Sequence, residues 1–408
     1  MTRTRKIKDA FLNALTYLAS SLTLIVLVAI FGFVVIQGKD SLSMEMLTNN
    51  YWTQNYLITW EDSQATHFER PDDLKDNEFF SEKYGIAFED AISHEKAKLI
   101  KVSYVDENSP FRESINATKG SGYGNSLTVN VGDQIEKIDA YDESGDIILM
   151  GTIFADNAQS MVSKLDTSVS LNTVYYQTPG GGIWGSLLAT LMLIGLSLLF
   201  ALPLGIFAAI YLTEIAEPNR FNSFIERCIE MLAGVPSIIF GLMGIVVLYP
   251  ITTLFNIKGL SILLGSLTMA VILLPVIIRS VQESLIVVPQ AYRQASLSLG
   301  ASQTQTIFKV ILPSALPGIL SAVLLAVSRI IGESAALIYT MGTFVNDAPR
   351  VGEGATTLAV QIWSVMGQEQ PNFELASAIS IIILVLVLLL NVSVKLLSKR
   401  LNRKLGQA

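Results

Sequence analysis

The chain has 408 residues, 51% of them hydrophobic and only 15% charged, with a mean hydropathy of +0.48, a balance that excludes an ordinary soluble globule. Its net charge of −7 is unevenly spread: residues 39–182 hold 24 acidic and 11 basic residues, a net of −13, leaving 11 acidic and 17 basic residues elsewhere, a net of +6. One cysteine, Cys228, excludes an intramolecular disulfide and a cysteine zinc cluster, and no nucleic-acid partner is expected.

Apolar runs of the roughly 20 residues needed to span a bilayer lie near residues 11–37, 183–212, 231–255, 259–282, 314–341 and 374–396, which predicts six transmembrane helices. The first run is too long for a signal-peptide core, has no small-residue cleavage site after it, and follows Arg3, Arg5, Lys6 and Lys8. It is read as a retained helix. Basic residues gather at the amino terminus, around Arg220 and Arg227, around Arg279, Arg293 and Lys309, and from Lys395 to Lys404. The positive-inside rule makes these faces cytoplasmic. Both termini are therefore expected inside, and the acidic segment 39–182 outside, a multi-pass inner (plasma) membrane.

Within that outer segment, residues 39–80 are aromatic and polar without a clean period. Residues 82–178 read as a folded unit: "KYGIAF" and "KLIKVSYV" alternate as strands do, "TVNVGDQIEKIDA" is a strand entered by a Gly-Asp turn, and "NAQSMVSKLD" is a helix. This order resembles a PDZ domain, with Tyr84 to Phe88 where that family holds a peptide carboxylate and Ala87 in place of its second glycine. The resemblance implies capture of a peptide as an added strand; the alternative is an acidic α+β insertion that scaffolds the outer mouth of the membrane region. His67 and His94 stand here without a clustered partner, so no metal site is expected.

"TPGGGIWGS" at 178–186 returns the chain to the membrane, and lacks the preceding strand and following Lys-Ser/Thr of a phosphate-cradling loop. This chain is not expected to bind ATP. Pro203, Pro236, Pro250 and Pro275 are expected to interrupt the spans between 183 and 283, since proline frees carbonyls that neighbours or a lined cavity must satisfy. Glu214, Glu217 and Arg220 are read as solvated charges at the cytoplasmic end of the second span, the alternative being contact with a partner subunit. The last span has no such breaks and suits a lipid-facing anchor.

Between the fourth and fifth spans, Pro289 can open a short helix, Gly300 can end it, and a second helix runs toward Leu312-Pro313. So polar an elbow needs a protein partner or water; the alternative is a loop lying on the lipid surface. The pattern Gln294-Ala295-Ser296, Gly300, Leu312-Pro313 resembles the EAA loop of ABC importer permeases, with Gln294 in place of the family's glutamate. The resemblance implies that residues near 289–303 form a coupling helix inserted into an ATPase subunit. A neutral Gln294 would make a weaker contact there than a charged residue.

Wider blocks, "GIWGSLLATLMLIGLSLLFALPLGIFAAIYLTEIA", "IEMLAGVPSIIFGLMGIVVL", "LTMAVILLPVIIRSVQESLIVVP" and "SRIIGESAALIYTMG", resemble the phosphate-import permeases of the A type (PstA) across most of 183–395. That resemblance implies an all-α polytopic membrane protein of the type I ABC importer permease fold, here with a PDZ-like α+β extracytoplasmic insertion. Its implied parts are residues 1–38 as terminus and first helix, 39–182 as insertion, 183–398 as permease core with the coupling loop 288–313, and 399–408 as a cytoplasmic tail. It further implies inorganic phosphate as cargo, a second permease as heterodimer partner, two ATPase subunits that hold ATP and magnesium, and an extracytoplasmic phosphate-binding protein. No enzymatic chemistry and no cofactor are expected in this chain.

Arg329 and Glu333 lie four residues apart in an apolar run, where one helix face would let them meet. An unpaired charge at mid-bilayer costs about 2.5–3.5 kcal/mol on insertion scales. Two readings stay open: a self-neutralising pair that fixes helix rotation, or a pair facing a polar translocation path, where the guanidinium meets an oxyanion. The family resemblance implies the second. Asp347, Arg350 and Glu353 follow in a Gly-rich loop that could dock the binding protein or merely decorate the surface. Two rivals are an importer of another oxyanion, molybdate or sulfate, and a membrane-anchored PDZ-type sensor or regulator.

Overall fold

The computed structural model describes residues 3–60, 63, 66–92, 97–119, 123–368 and 371–404. It divides into a helical unit, Met1–Thr48 with Ile183–Ala408, and a sheet unit, Asn49–Gly182. The sheet unit lies within the segment 39–182, whose first residues, up to Thr48, belong to the helical unit.

The helical unit opens with α1 (Arg3–Gly38) and a short α2 (Met44–Thr48). Gly38 is where α1 meets the last helix of the chain, since a Cβ there would stand 2.7 Å from the backbone nitrogen of Ala378.

The sheet unit then forms from β1 (Asn55–Thr59), β2 (Glu78–Ser81), β3 (Ile86–Ile92), β4 (Lys98–Val105), β5 (Ser114–Asn116), β6 (Ser126–Leu127), β7 (Gln134–Tyr141), β8 (Ile147–Met150), the helix α3 (Ala158–Leu165) and β9 (Ser170–Gln177). The strands run β2-β3-β4-β7-β9-β1-β5-β6, with β8 also on β7, and every pairing is antiparallel. Alternate residues Ile135 and Val174 point into a core with Phe88, Phe111 and Tyr176. Asn157 caps α3 by accepting from Ser160 N at 2.7 Å, and Ala158, Met161, Val162 and Leu165 bury its apolar face. Residues 39–80, without a readable period, supply two strands: β1 is paired with β9 and β5, and β2 with β3.

Part of the strand edge that peptide capture would use, Ile86–Glu89, is already paired. Ala87 pairs with Phe80 of β2 on one side and with Tyr104 of β4 on the other. Ser81 Oγ donates to Asp166 Oδ1 at 2.6 Å, and the Tyr84 and Ser168 hydroxyls meet at 2.8 Å, closing the turn against the end of α3.

The helical unit resumes with α4 (Trp184–Ile210), α5 (Arg220–Ala233), α6 (Ser237–Met243), α7 (Tyr249–Thr253), α8 (Ile262–Ile286), α9 (Gln290–Ser298), α10 (Gln303–Thr306), α11 (Leu312–Gly332), α12 (Ala335–Thr340), α13 (Leu358–Met366) and α14 (Phe373–Lys404). Among the described residues, five segments are long and apolar enough to cross a membrane: Phe11–Ser41, Trp184–Ile215, Ile262–Ile286, Gln303–Gly332 and Phe373–Arg400. The third predicted span is instead a pair, Arg220–Ala233 with Ser237–Thr253, bent by 104°. Pro236 sits at that bend, where a residue without an N–H cannot continue the helix. Pro203 and Pro275, by contrast, lie inside unbroken helices. Gly205 lets α4 lie directly on Ile277 of α8, and Leu193, Ala201, Leu273 and Ile277 are fully buried in the shared core.

Candidate functional site: a coupling elbow and a broken charged helix

The elbow between α8 and α11 forms as its residues dictate. Pro289 precedes α9 with φ −57 and ψ 138, and Gly300, at φ +82, ends it in the left-handed region that favours glycine. Ser302 and Gln305 cap α10 reciprocally, at 3.2 and 3.0 Å, and the hydroxyls of Ser296 and Thr306 tie the two arms at 2.9 Å. A π-helical turn, Ile307–Ile311, then leads into Leu312-Pro313 at the start of α11; the wider turn relieves the clash that proline's ring makes with the carbonyl four residues back. Gln294 and Ala295 are exposed, Ser296 is half-buried, and Leu299 at the tip is 90% exposed. The elbow thus carries an apolar tip on otherwise polar arms.

One guanidinium anchors this elbow. Arg293 donates from Nη2 to Glu214 Oε1 at 2.6 Å and from Nε to Oε2 at 3.1 Å, a bidentate pair. It also donates to the carbonyls of Val288 at 2.7 Å and Leu285 at 2.9 Å, at the end of α8. The side chains are 15% and 9% exposed. Glu214 sits in a π-helical turn, Tyr211–Ile215, that extends α4, and Gln303 Nε2 donates to its backbone carbonyl at 3.0 Å. Glu214 is therefore not the solvated charge that its place in the sequence suggests; it is the buried partner of the elbow. Arg293 is the only charged residue between 288 and 308, a signal the sequence offered, but its partner lies 79 positions away. Glu217 and Arg220 are exposed as expected.

Arg329 and Glu333 do not share a helix. The fifth span ends at Gly332, Glu333 is extended at φ −78 and ψ 130, and α12 begins after Ser334. The Glu333 carboxylate accepts from Ala336 N at 3.3 Å, so it caps the start of α12, while Arg329 lies in the last turn of α11. A carboxylate at a helix N-terminus and a cation near a C-terminus are each favoured by the macrodipole. The two charges are thus steadied by opposite helix ends and form no ion pair among the described residues. Arg329 is exposed on the same stripe of α11 as Ser321 and Leu325. Ser321 and Leu325, with Glu283, Ser284 and Tyr292, line an open groove of about 650 Å³ that runs between α8 and α11 up to the elbow.

In the following loop, Arg350 and Glu353 form an exposed ion pair at 3.9 Å, and Asn346 Nδ2 donates to Glu353 Oε2 at 3.4 Å. The backbone there is ordered on α8: Leu263 N donates to Val351 O at 2.9 Å and Ile262 N to Glu353 O at 3.0 Å. Asp347 is half-buried in the same loop. Cys228 is a half-buried free thiol on α5. His67 is exposed, and His94 lies outside the described residues. Among the described residues no three metal-ligating side chains cluster.

Residues 201–407, which include the elbow and the broken helix, match the family described as binding-protein-dependent transport system inner membrane component. The chain belongs to that family. Such a component with several apolar helices is a multi-pass permease of the inner membrane, of the ABC importer class. A relative, the probable ABC transporter permease protein YqgI of Bacillus subtilis (strain 168), is 33% identical over 241 residues, covering 55% of this chain and 81% of its own length. The phosphate transport system permease protein PstA 1 of Mycobacterium tuberculosis (strain CDC 1551 / Oshkosh) is 34% identical over 173 residues, 42% of this chain and 55% of that protein. PstA of Haemophilus influenzae is 32% identical over 185 residues, 44% of this chain and 64% of that protein. The chain spans less than two thirds of the length of either phosphate permease.

Proposed function

We propose that this permease is one transmembrane subunit of an ATP-driven phosphate importer, that it forms the translocation path with a second permease, and that its elbow docks an ATPase subunit. The observation that carries the choice of phosphate is the 173-residue stretch 34% identical to a phosphate permease. On this reading two ATPases hold ATP and magnesium below the bilayer, both termini face them, and an extracytoplasmic binding protein delivers phosphate above. Gln294, Ala295, Ser296 and Gly300 belong to the docking surface, and Leu312-Pro313 begins the helix that it moves.

The chemistry of Arg329 suits the path. A guanidinium presents forked donors to an oxyanion, and one exposed on α11 rather than consumed by Glu333 has them to offer. Transport also requires release, so a single arginine is a better path group than a tight cage. Glu333, fixed just beyond the helix break, supplies the opposing charge that keeps residence short.

The test is uptake of radiolabelled phosphate by cells that depend on this permease. Arg329→Gln is expected to reduce uptake at least about tenfold at normal expression, a loss of one charge-assisted contact, and Glu333→Gln less. Normal uptake by the double variant assigns both residues to structure alone. Uptake of molybdate or sulfate in preference to phosphate replaces the cargo and leaves the permease reading intact.

A further inference from the structure

Two arms of the elbow converge on one residue. Arg293, from α9, holds the Glu214 carboxylate with two bonds, and Gln303, from α10, holds the Glu214 carbonyl. The same guanidinium holds the carbonyls of Leu285 and Val288 that finish α8. Among the described residues these are the side-chain hydrogen bonds that join the elbow to α4 and α8; the remaining polar contacts of α9 stay within the elbow, at Ser296 and Ser298.

We infer that Arg293 and Glu214 are positioning residues for transport: they form the rigid link by which a displacement of the elbow is passed to α4 and α8. This rests on the elbow being the ATPase docking surface. Three observations support a mechanical role over a folding staple. A buried bidentate pair is directional and barely screened by salt, so it resists shear where an apolar contact slides. Its carboxylate sits at the C-terminal end of the helical segment that extends α4, the end that disfavours negative charge, so Glu214 is in place for Arg293 and not for the stability of its own helix. Finally, α4 and α8 interlock at Gly205 and Ile277, so force on one end of either moves both.

The experiment uses the complete transporter, purified through this chain and reconstituted into vesicles with phosphate, or with whichever oxyanion the wild type imports. Arg293→Lys, Glu214→Gln and the neutral double change of Glu214→Gln with Arg293→Gln are compared by two readouts: ATPase retained on the chain, and oxyanion imported per ATP hydrolysed. Loss of the fork is expected to lower the import ratio about tenfold or more with the ATPase still bound, in either single variant and in the double. An import ratio within about twofold of wild type in both single variants overturns the link, since such a change is under 0.5 kcal/mol of coupling. Loss of the bound ATPase from those variants also overturns it, because the pair then shapes the docking face. If the single variants fail to accumulate, the neutral double change decides, because it strands no charge: it must accumulate with the ATPase bound and import poorly, and either failure to accumulate or import within about twofold of wild type refutes the inference. A wild-type chain that retains no ATPase is a different failure, that of the docking reading itself.

Discussion

Glu214 in the helical unit and Asp133 in the sheet unit are both buried carboxylates, handled in opposite ways. Glu214 is met by a guanidinium with two bonds, and its neighbourhood adds a further donor to the backbone. Asp133, 3% exposed, accepts from Asn130 N at 2.8 Å and has no ion pair among the described residues. Burial pushes its pKa up to about 6, against an ordinary 3.8, and the Asn130 bond only partly opposes this. Burial therefore makes a charge rigid where a partner is supplied and makes it protonatable where none is. The first condition suits a part that transmits force; the second leaves a pH-dependent weak point.

Removing the partner is the strongest way to break this comparison. Arg293→Ala leaves Glu214 buried and unpaired, which costs about 3–5 kcal/mol; thermal unfolding in detergent is expected to show a large drop, and a drop no larger than that of a surface arginine such as Arg350→Ala denies the pair its role. Asp133→Asn acts in the opposite direction. Because the native pKa lies above the ordinary one, the stabilisation from this proton is full below about pH 4 and lost as pH rises through 6. The neutral amide removes a penalty on the order of 2–3 kcal/mol at pH 8 and can still accept from Asn130. Melting of the variant is expected to exceed wild type at pH 8 and to converge with it near pH 4; parallel curves across that range refute the unpaired state of Asp133.

The sequence disclosed these regions unequally. The apolar runs announced the membrane helices, and Pro289, Gly300 and Leu312-Pro313 announced the elbow almost to the residue, because proline and glycine act on the local backbone. The Glu214–Arg293 pair was hidden, since nothing local links residues 79 positions apart. The break at Gly332 was misread: four-residue spacing suggested one face of a continuous helix, whereas Gly332 followed by Ser334 is a stop and a start. In the sheet unit, β3 and β4 were legible from alternation, but β1 and β2 were not. Their short, irregular stretches gain their strand identity from their partners, β1 from the distant Gln177 and β2 from Phe88 across a tight hairpin. The likeness to a PDZ strand order said nothing of the β2 edge that closes β3. That pairing weighs against a membrane-anchored peptide sensor.

The smallest stability effect carries the most information about the path. Arg329 is exposed, and among the described residues it forms no ion pair, so within this subunit its neutral replacement removes little beyond a favourable helix-end charge, about 0.3–1 kcal/mol. Arg329→Gln is thus expected to leave the melting temperature nearly unchanged while uptake falls, the reverse of the pattern for a structural salt bridge. Glu333→Gln retains an oxygen that can accept from Ala336 N and should also melt like wild type. Were the two charges a pair held across the break, the single changes would each strand a charge, and the double change would restore stability. Additive, near-zero shifts in all three proteins, alongside lost uptake, separate a group that serves the cargo from one that serves the fold.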